Sequence, residues 1–320
     1  MRKILVLLVL SVIGLNAKAQ IDAGQHGFGG QQKAIELPCS EKFLDVNYAD
    51  DGQAFHTLDI YLPKQVKEKY PVVVHIYGSA WFSNNSKGMA DLGTIVNALL
   101  NAGYAVVCPN HRSSMDAKWP AQINDIKAVV RFVRGEAAKY HFDTDFIATS
   151  GFSSGGHLSS FMAATCGMKT GKVGKAEIDI EGNLGKYTNE SSLINAAVSW
   201  SGPICLEAMN CSGAYPDKDK SPEAALIGKP CTDETLDMYL TVSSSSFIDA
   251  NDPPLLGFHG TADFVVPYCQ AQEWDKLYTA AGAKHEFVTV PDGNHGFNGM
   301  YDQPHLDKMV QFLDGVKGGK

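Results

Sequence analysis

From about residue 43 onward, short apolar runs and amphipathic stretches take turns along the chain. Phe43–Ala49 and His56–Leu62 have strand character; in the second, Leu58, Ile60 and Leu62 alternate with other residues, so the pair reads as an antiparallel entry to a sheet. Val72–Ile76 is then a buried strand, Leu92–Leu100 an amphipathic helix and Tyr104–Cys108 another strand. From Ala121 to about Ala138, Ile123, Ile126, Val130, Val133 and Ala137 fall on one helical face. Thr144–Ser150 reads as a strand, and beyond it Leu158, Phe161, Met162 and Cys166 recur at helical spacing. Strands and helices that alternate in this way predict a parallel sheet covered on both faces.

The pattern lapses twice. Residues 167–192 are rich in Gly, Lys and acids and predict a surface hairpin or loop, after which Ile194–Trp200 restores a strand. Residues 203–253 are polar, hold three cysteines and the run Ser243–Ser246, and predict a lid-like insertion. Leu255–Phe258, Ala271–Ala281, Glu286–Val290 and Leu306–Val316 then complete the series as strand, helix, strand and helix. The expectation is an α/β fold over residues 20–320, one domain with one insertion and no internal repeat.

The N-terminus changes the picture. Arg2 and Lys3 precede an apolar run from Ile4 to Leu15, and Ala17-Lys18-Ala19 has the small-x-small form of a cleavage site, so residues 1–19 read as a removable export signal. The run is shorter than the roughly 20 residues that span a bilayer, so no membrane anchor is expected, and the expected location is secreted or periplasmic. The whole chain carries 27 Lys and Arg against 35 Asp and Glu, a formal −8; loss of three bases with the signal leaves −11. Nucleic acid is therefore not an expected partner. Gly27–Gly30 is no dinucleotide fingerprint, because neither a strand nor a helix flanks it.

Seven cysteines, Cys39, Cys108, Cys166, Cys205, Cys211, Cys231 and Cys269, include no C-x-x-C pair. Cys108 and Cys166 lie in a strand and a helix and read as buried thiols. One bridge within the irregular stretch of Cys205, Cys211 and Cys231 is the expectation, with Cys39 and Cys269 left open. His and Cys are too scattered for a metal site.

The chemistry gathers at Gly151-Phe152-Ser153-Ser154-Gly155-Gly156-His157, a G-x-S-x-G stretch between a strand and a helix. Such a turn lifts a serine out of the end of a strand and crowds backbones together, which glycine permits. A serine hydroxyl is a poor nucleophile near neutral pH and needs a base, and the base needs a group that holds its tautomer. His295, between Gly293 and Gly296 after the last strand, is the candidate base; Asp263, just past the Leu255–Phe258 strand, is the candidate acid, with Asp292 next. His75 lies inside a strand, His157 on the helix after the serine turn suits packing or capping, His259 ends its strand beside a glycine, and His26, His56, His111, His141, His285 and His305 lack a strand-end loop in the expected order. The order Ser153, Asp263, His295 is that of α/β-hydrolases. Backbone N–H groups of Ser154 and of Ser79 and Ala80, in the loop Tyr77-Gly78-Ser79-Ala80-Trp81, are the candidate oxyanion donors. Trp81, Trp119, Phe152, Tyr268 and Phe297 stand near expected strand-end loops as candidates for an aromatic substrate wall.

These stretches, together with Leu58–Pro63, His111-Arg112-Ser113, Trp119–Gln122 and His259–Pro267, occur in one order across nearly all of the chain beyond the signal. In this the chain resembles bacterial secreted α/β-hydrolases of the hormone-sensitive-lipase-like and carbohydrate-esterase kind, which include feruloyl and acetyl-xylan esterases. It departs from their H-G-G-G or H-G-G-x-W loop, with Tyr77 in the histidine place and Ser79 in a glycine place. The resemblance implies an eight-stranded, mostly parallel sheet with a reversed second strand, no cofactor, and ester hydrolysis through an acyl-enzyme on Ser153 with Asp263 and His295. It implies a small-molecule or oligosaccharide ester as substrate, with acetyl or feruloyl esters of plant polysaccharides foremost. Other small esters, a peptidase-like hydrolase and a non-catalytic binding module are the alternatives.

Overall fold

Most of the apolar runs become strands of a single sheet. The computed structural model describes residues 35–89, 91–211 and 221–319; the expected export segment and the Gly27–Gly30 run lie outside them. The chain divides into Met1–Glu36 and Leu37–Lys320, and the second unit contains everything described below. Its strands are β1 (Cys39–Asn47), β2 (Thr57–Pro63), β3 (Tyr70–Ile76), β4 (Ala105–Pro109), β5 (Phe142–Phe152), the hairpin strands β6 (Thr170–Val173) and β7 (Ala176–Asp179), then β8 (Ala196–Trp200), β9 (Leu255–Gly260) and β10 (His285–Val290). Eight of them form one sheet in the order β1-β2-β4-β3-β5-β8-β9-β10, and β6 and β7 pair by themselves. β2 is antiparallel to both β1 and β4; the other neighbours run parallel. This is the α/β-hydrolase sheet with its reversed second strand, and the gap at 167–192 is the surface hairpin.

The helices are α1 (Asn97–Asn101), α2 (Ala121–Gly135), α3 (Ala137–Tyr140), α4 (Ser154–Ala164), α5 (Pro222–Ile227), α6 (Leu236–Val242), α7 (Cys269–Ala281) and α8 (Gln303–Lys317). Side chains of a strand alternate between faces, and the two cores follow that period. Val72, Val74 and Ile76 pack with Ile123, Ile126 and Val130 of α2, Leu158 of α4 and Trp274 of α7. Val73, Val106, Ala148 and Val198 pack on the opposite face with Leu99 of α1 and with Met309 and Leu313 of α8. The helix expected at 92–100 opens differently. Asp91, in left-handed backbone at φ 49°, starts a π-helical turn over Leu92–Val96 before α1 begins, and its carbonyl accepts the Val96 N–H at 3.2 Å.

Two expectations are corrected. Residues 203–253 are not an irregular polar stretch: the described part holds α5, α6 and two 3-10 turns, Leu206–Ala208 and Ser244–Ser246. Among its described apolar residues, Leu206, Leu226, Ile227, Cys231, Tyr239 and Val242 bury one another together with Trp81. The cap therefore has a core of its own. The disulfide joins Cys211 to Cys269, not to Cys205 or Cys231. Burial explains the choice, since Cys205 and Cys231 are enclosed as free thiols and burial pushes the Cys205 thiol up to about 12. No described helix is long and apolar enough to cross a membrane.

Candidate active site

Parallel strands deliver their loops to one edge of the sheet, and each candidate residue leaves the C-terminal end of a different strand. β5 ends at Phe152 and α4 begins at Ser154, so Ser153 makes the whole reversal by itself, at φ 54° and ψ −120°. Left-handed backbone at a non-glycine residue is a strained state, of order 1–3 kcal/mol. Close packing on both sides holds it. A Cβ on Gly151 would lie 2.2 Å from the Gly155 carbonyl oxygen, and one on Gly155 would lie 2.1 Å from that of Ile76. These two contacts are the physical content of the G-x-S-x-G spacing. The Ser153 N–H donates to the Trp200 carbonyl at 2.8 Å, which ties the turn to β8.

His295 brings the two other strand ends together. Its Nε2 lies 2.9 Å from Ser153 Oγ, and its Nδ1 lies 2.8 Å from Asp263 Oδ2. A carboxylate only accepts, so Nδ1 carries the proton and Nε2 presents a lone pair to the serine hydroxyl. Asp263 Oδ1 accepts the N–H groups of Val265 and Val266, each at 2.9 Å. Burial pushes the Asp263 carboxyl up, but the hydrogen bond and charge of His295, with help from His259 and the Val266 N–H, outweigh it and hold the group below its usual range. It is therefore ionised beside the imidazole. Asp292, the other candidate, sits in an exposed left-handed turn at φ 55° and uses its N–H on Thr261 Oγ.

Three of the histidines set aside lie in packed, hydrogen-bonded places. His75 lies between Ser150 Oγ and Asp91 Oδ2, at 3.2 Å from each. His259 Nε2 donates to the Val266 carbonyl at 2.8 Å and stands 3.6 Å from Asp263 Oδ2, so it props the acid's loop; burial lowers its pKa against both partners. His157 Nε2 donates to the Val242 carbonyl at the end of α6, at 2.7 Å, which fastens the cap to α4. Burial lowers its pKa to about 4 against that bond, so it stays neutral.

The three candidate oxyanion donors are not equivalent. The Ser79 N–H already donates to Ser154 Oγ at 2.9 Å, so it supports the loop and is not available to a substrate. Ala80 and Trp81 follow in left-handed backbone, at φ 50° and 60°, and among the described residues the Ala80 N–H is not donated to any acceptor. The Ser154 N–H, in the first position of α4, has no carbonyl one turn back to bond. Tyr77, in the histidine place, stacks on His111 at 4.9 Å and donates its hydroxyl to the Ser83 carbonyl. Those contacts fix the loop without its usual residues.

The aromatic wall does not assemble as expected. Trp81 is only 2 % exposed, in the core of the cap, and Trp119 is half-buried against Phe161 and His157. Packing claims both rings because the cap's short helices have few large apolar residues of their own. Phe152 lies against His295, ring centres 4.7 Å apart. Tyr268 bonds its hydroxyl to Thr289 on β10 at 2.6 Å and stacks toward Phe287, so it belongs to the sheet edge. Phe297 is half-buried, its carbonyl accepting the Asn294 N–H across the His295 turn. Sequence reasoning passed over the hydroxyl of Ser154 and the outward rings of Phe82 and Phe264, which neighbour the residues it chose. A cavity of about 350 Å³ lies between α1 and α8, away from Ser153.

Known proteins resemble this chain in sequence and fold. A truncated form of a carbohydrate esterase from gut microbiota is 46% identical, with 89% of this chain and 99% of that one aligned at a TM-score of 0.85. A bifunctional GH43-CE protein of Bacteroides eggerthii is 45% identical over 89% of this chain and 36% of its own, with a TM-score of 0.82. LipM of Mycobacterium tuberculosis, a probable carboxylic ester hydrolase, is 29% identical over 79% of this chain, which spans just 56% of LipM's length. The sequence profile of the BD-FAE family matches residues 58–277, from β2 through the serine turn and the acid's loop into α7. A match over well more than half of the chain, on a sheet of this topology, means that the protein belongs to the BD-FAE family and has the α/β-hydrolase fold.

Proposed function

We propose that the protein is a secreted serine esterase that removes acyl groups, acetyl or feruloyl, from plant polysaccharides through an acyl-enzyme on Ser153. The observation that carries the reading is the unbroken chain from Ser153 Oγ through His295 to Asp263, with bonds of 2.9 and 2.8 Å. As His295 Nε2 takes the hydroxyl proton, Ser153 Oγ bonds to the ester carbonyl carbon and the carbonyl electron pair moves onto oxygen. The N–H groups of Ala80 and Ser154 receive that oxyanion, and Asp263 stabilises the imidazolium. Collapse breaks the bond to the alcohol, which leaves with the proton from His295. Water then repeats the sequence on the acyl-enzyme and frees the acid.

The carbohydrate part of the reading draws on the likeness to a carbohydrate esterase at 46% identity. Burial of Trp81 and Trp119 favours a small acyl group, acetyl over feruloyl, because neither ring is free to face a large one. Secretion is supported by the charged and apolar N-terminal pattern and by the Cys211–Cys269 disulfide, which persists in oxidising compartments. The test is hydrolysis of 4-nitrophenyl acetate, acetylated xylo-oligosaccharide and methyl ferulate by the wild type and by Ser153→Ala. Acetate release from the oligosaccharide by the wild type alone supports the proposal. Release by both proteins removes Ser153 from it, and activity on the nitrophenyl ester alone removes the polysaccharide.

A further inference from the structure

The largest outward apolar side chains near the catalytic edge stand on two loops on either side of Ser153. Phe82, 43% exposed, follows Trp81 in the loop after β3, and Phe264, 61% exposed, follows Asp263 in the loop after β9. Each has an exposed apolar companion: Met115 on the loop after β4, and Val265. Neither site is a floppy loop tip. The Phe82 N–H donates to the Ser79 carbonyl at 3.0 Å, and the Ser114 N–H donates to the Trp81 carbonyl at 2.8 Å. Asn84 Nδ2 also donates to Asp116 Oδ2 at 2.9 Å, so the loops carrying Phe82 and Met115 are tied to each other. On the other side, the Asp263 carboxylate that receives the Val265 and Val266 N–H groups fixes the backbone on which Phe264 stands. Exposed aromatic rings on backbone fixed by such bonds are preorganised contact surface.

Resting on the carbohydrate reading above, we infer that Phe82 and Phe264 are two sugar-binding platforms that hold the polysaccharide chain across Ser153, one on each side of the scissile ester. The sheet order supplies the reason. β5 and β8 lie between β3 and β9, so the roots of the two loops are three strand spacings, roughly 14 Å, apart. An acetyl group and its ester oxygen cannot touch both. An extended chain of neutral rings can, with the apolar face of a pyranose ring laid on each phenyl group, in the manner of other ring-on-aromatic stacking. The platforms would then select for the alcohol side of the ester.

The test uses the full chain with Phe82→Ala, Phe264→Ala and Phe82→Trp. The measured quantity is kcat/KM for acetylated xylo-oligosaccharide divided by kcat/KM for 4-nitrophenyl acetate. Each alanine variant is expected to lower that ratio on the order of tenfold, through KM on the oligosaccharide, since loss of one stacked ring corresponds to about a decade in affinity. Phe82→Trp should restore it. Unesterified xylo-oligosaccharide should inhibit the wild type competitively and the alanine variants more weakly. A wild type active on both substrates with a ratio that neither alanine variant moves overturns the inference and leaves the esterase reading standing. A wild type that ignores the oligosaccharide ends both. Conversion of a dimer to a monomer by either substitution, with the ratio unmoved, would assign the rings to a second copy of this chain.

Discussion

The backbone N–H of Ser79 donates to the side-chain hydroxyl of Ser154, so the residue after Ser153 holds the Tyr77–Trp81 loop in place with its side chain while, among the described residues, its own N–H is not donated to a carbonyl. In the proposed mechanism one residue would then serve the oxyanion twice, directly through its amide and indirectly through its hydroxyl. Ser154→Ala keeps the amide and releases the loop. Removing an oxyanion donor outright costs a factor of about 10²–10³ in kcat; loosening the loop that bears Ala80 is expected to cost about 10- to 100-fold, mostly in kcat. Steady-state kinetics on 4-nitrophenyl acetate measure this, and an unchanged kcat would separate Ser79 and Ser154 from the oxyanion.

Asp263→Asn tests the acid by reversing a hydrogen bond. The carboxylate accepts the His295 Nδ1 proton, whereas an amide can turn its NH2 toward the ring and favour the tautomer whose Nε2 no longer accepts from Ser153. The expected fall in kcat is on the order of 10⁴. Circular dichroism should remain that of the wild type, because the amide oxygen can still receive the Val265 and Val266 N–H groups. A loss of less than tenfold would move the acid's role elsewhere.

The hydrogen-bonded chain of Ser153, His295 and Asp263 was legible because each member carries a local constraint. Ser153 needs Gly151 and Gly155 for close approach, and Asp263 and His295 follow apolar strands at fixed offsets. Strand faces were legible for the same reason, since Val72 to Ile76 alternate between two cores at a period of two. What escaped the sequence depends on contacts between distant segments. Nothing near Cys211 marks Cys269, 58 residues on, as its partner. Trp81 reads as a substrate contact by its place after the oxyanion loop, yet the cap's own apolar residues are too few and irregularly spaced to announce the core that encloses it. Conversely, Phe82 and Phe264 look like filler beside Trp81 and Asp263, and only their exposure separates them from packing residues.

The cap is clamped to the hydrolase body at the first turn of α7. Buried Gln270 accepts the N–H groups of Ile204 and Cys205 and donates to the carbonyls of Cys205, Ala208 and Met209, beside the Cys211–Cys269 bridge. Gln270→Ala strands several of these backbone groups, each worth ~1–3 kcal/mol when left unpaired. A stability loss of about 2–4 kcal/mol is expected, with Tm lowered further when the bridge is reduced. Thermal unfolding with and without dithiothreitol measures both effects. A Tm within a degree of the wild type in both conditions would show that the cap is held by its apolar core alone.

Asp252 makes stability depend on pH in the opposite sense to Asp263. Burial raises its pKa to about 7, assisted by the charge of Asp249 and opposed by the Asp249 N–H, which donates to Oδ2 at 3.0 Å. In the unfolded chain the same group ionises near ~3.9. Below that value the carboxyl is neutral in both states and costs nothing. As pH rises from about 4 to about 7 the unfolded state releases a proton that the folded state retains, so stability falls across that window and levels off above it. Asp252→Asn keeps an oxygen for the Asp249 N–H and removes the titration. The variant is expected to match the wild type near pH 4 and to gain about 2–4 kcal/mol at pH 8, or several degrees in Tm. Asp263, whose pKa is depressed, contributes stability that is lost only as pH falls below ~4, and the buried His157 and His259, which are present in both proteins, cancel in the comparison. Thermal unfolding of both proteins across that window decides the matter: a Tm difference that does not widen with pH would mean that Asp252 ionises normally in the folded chain.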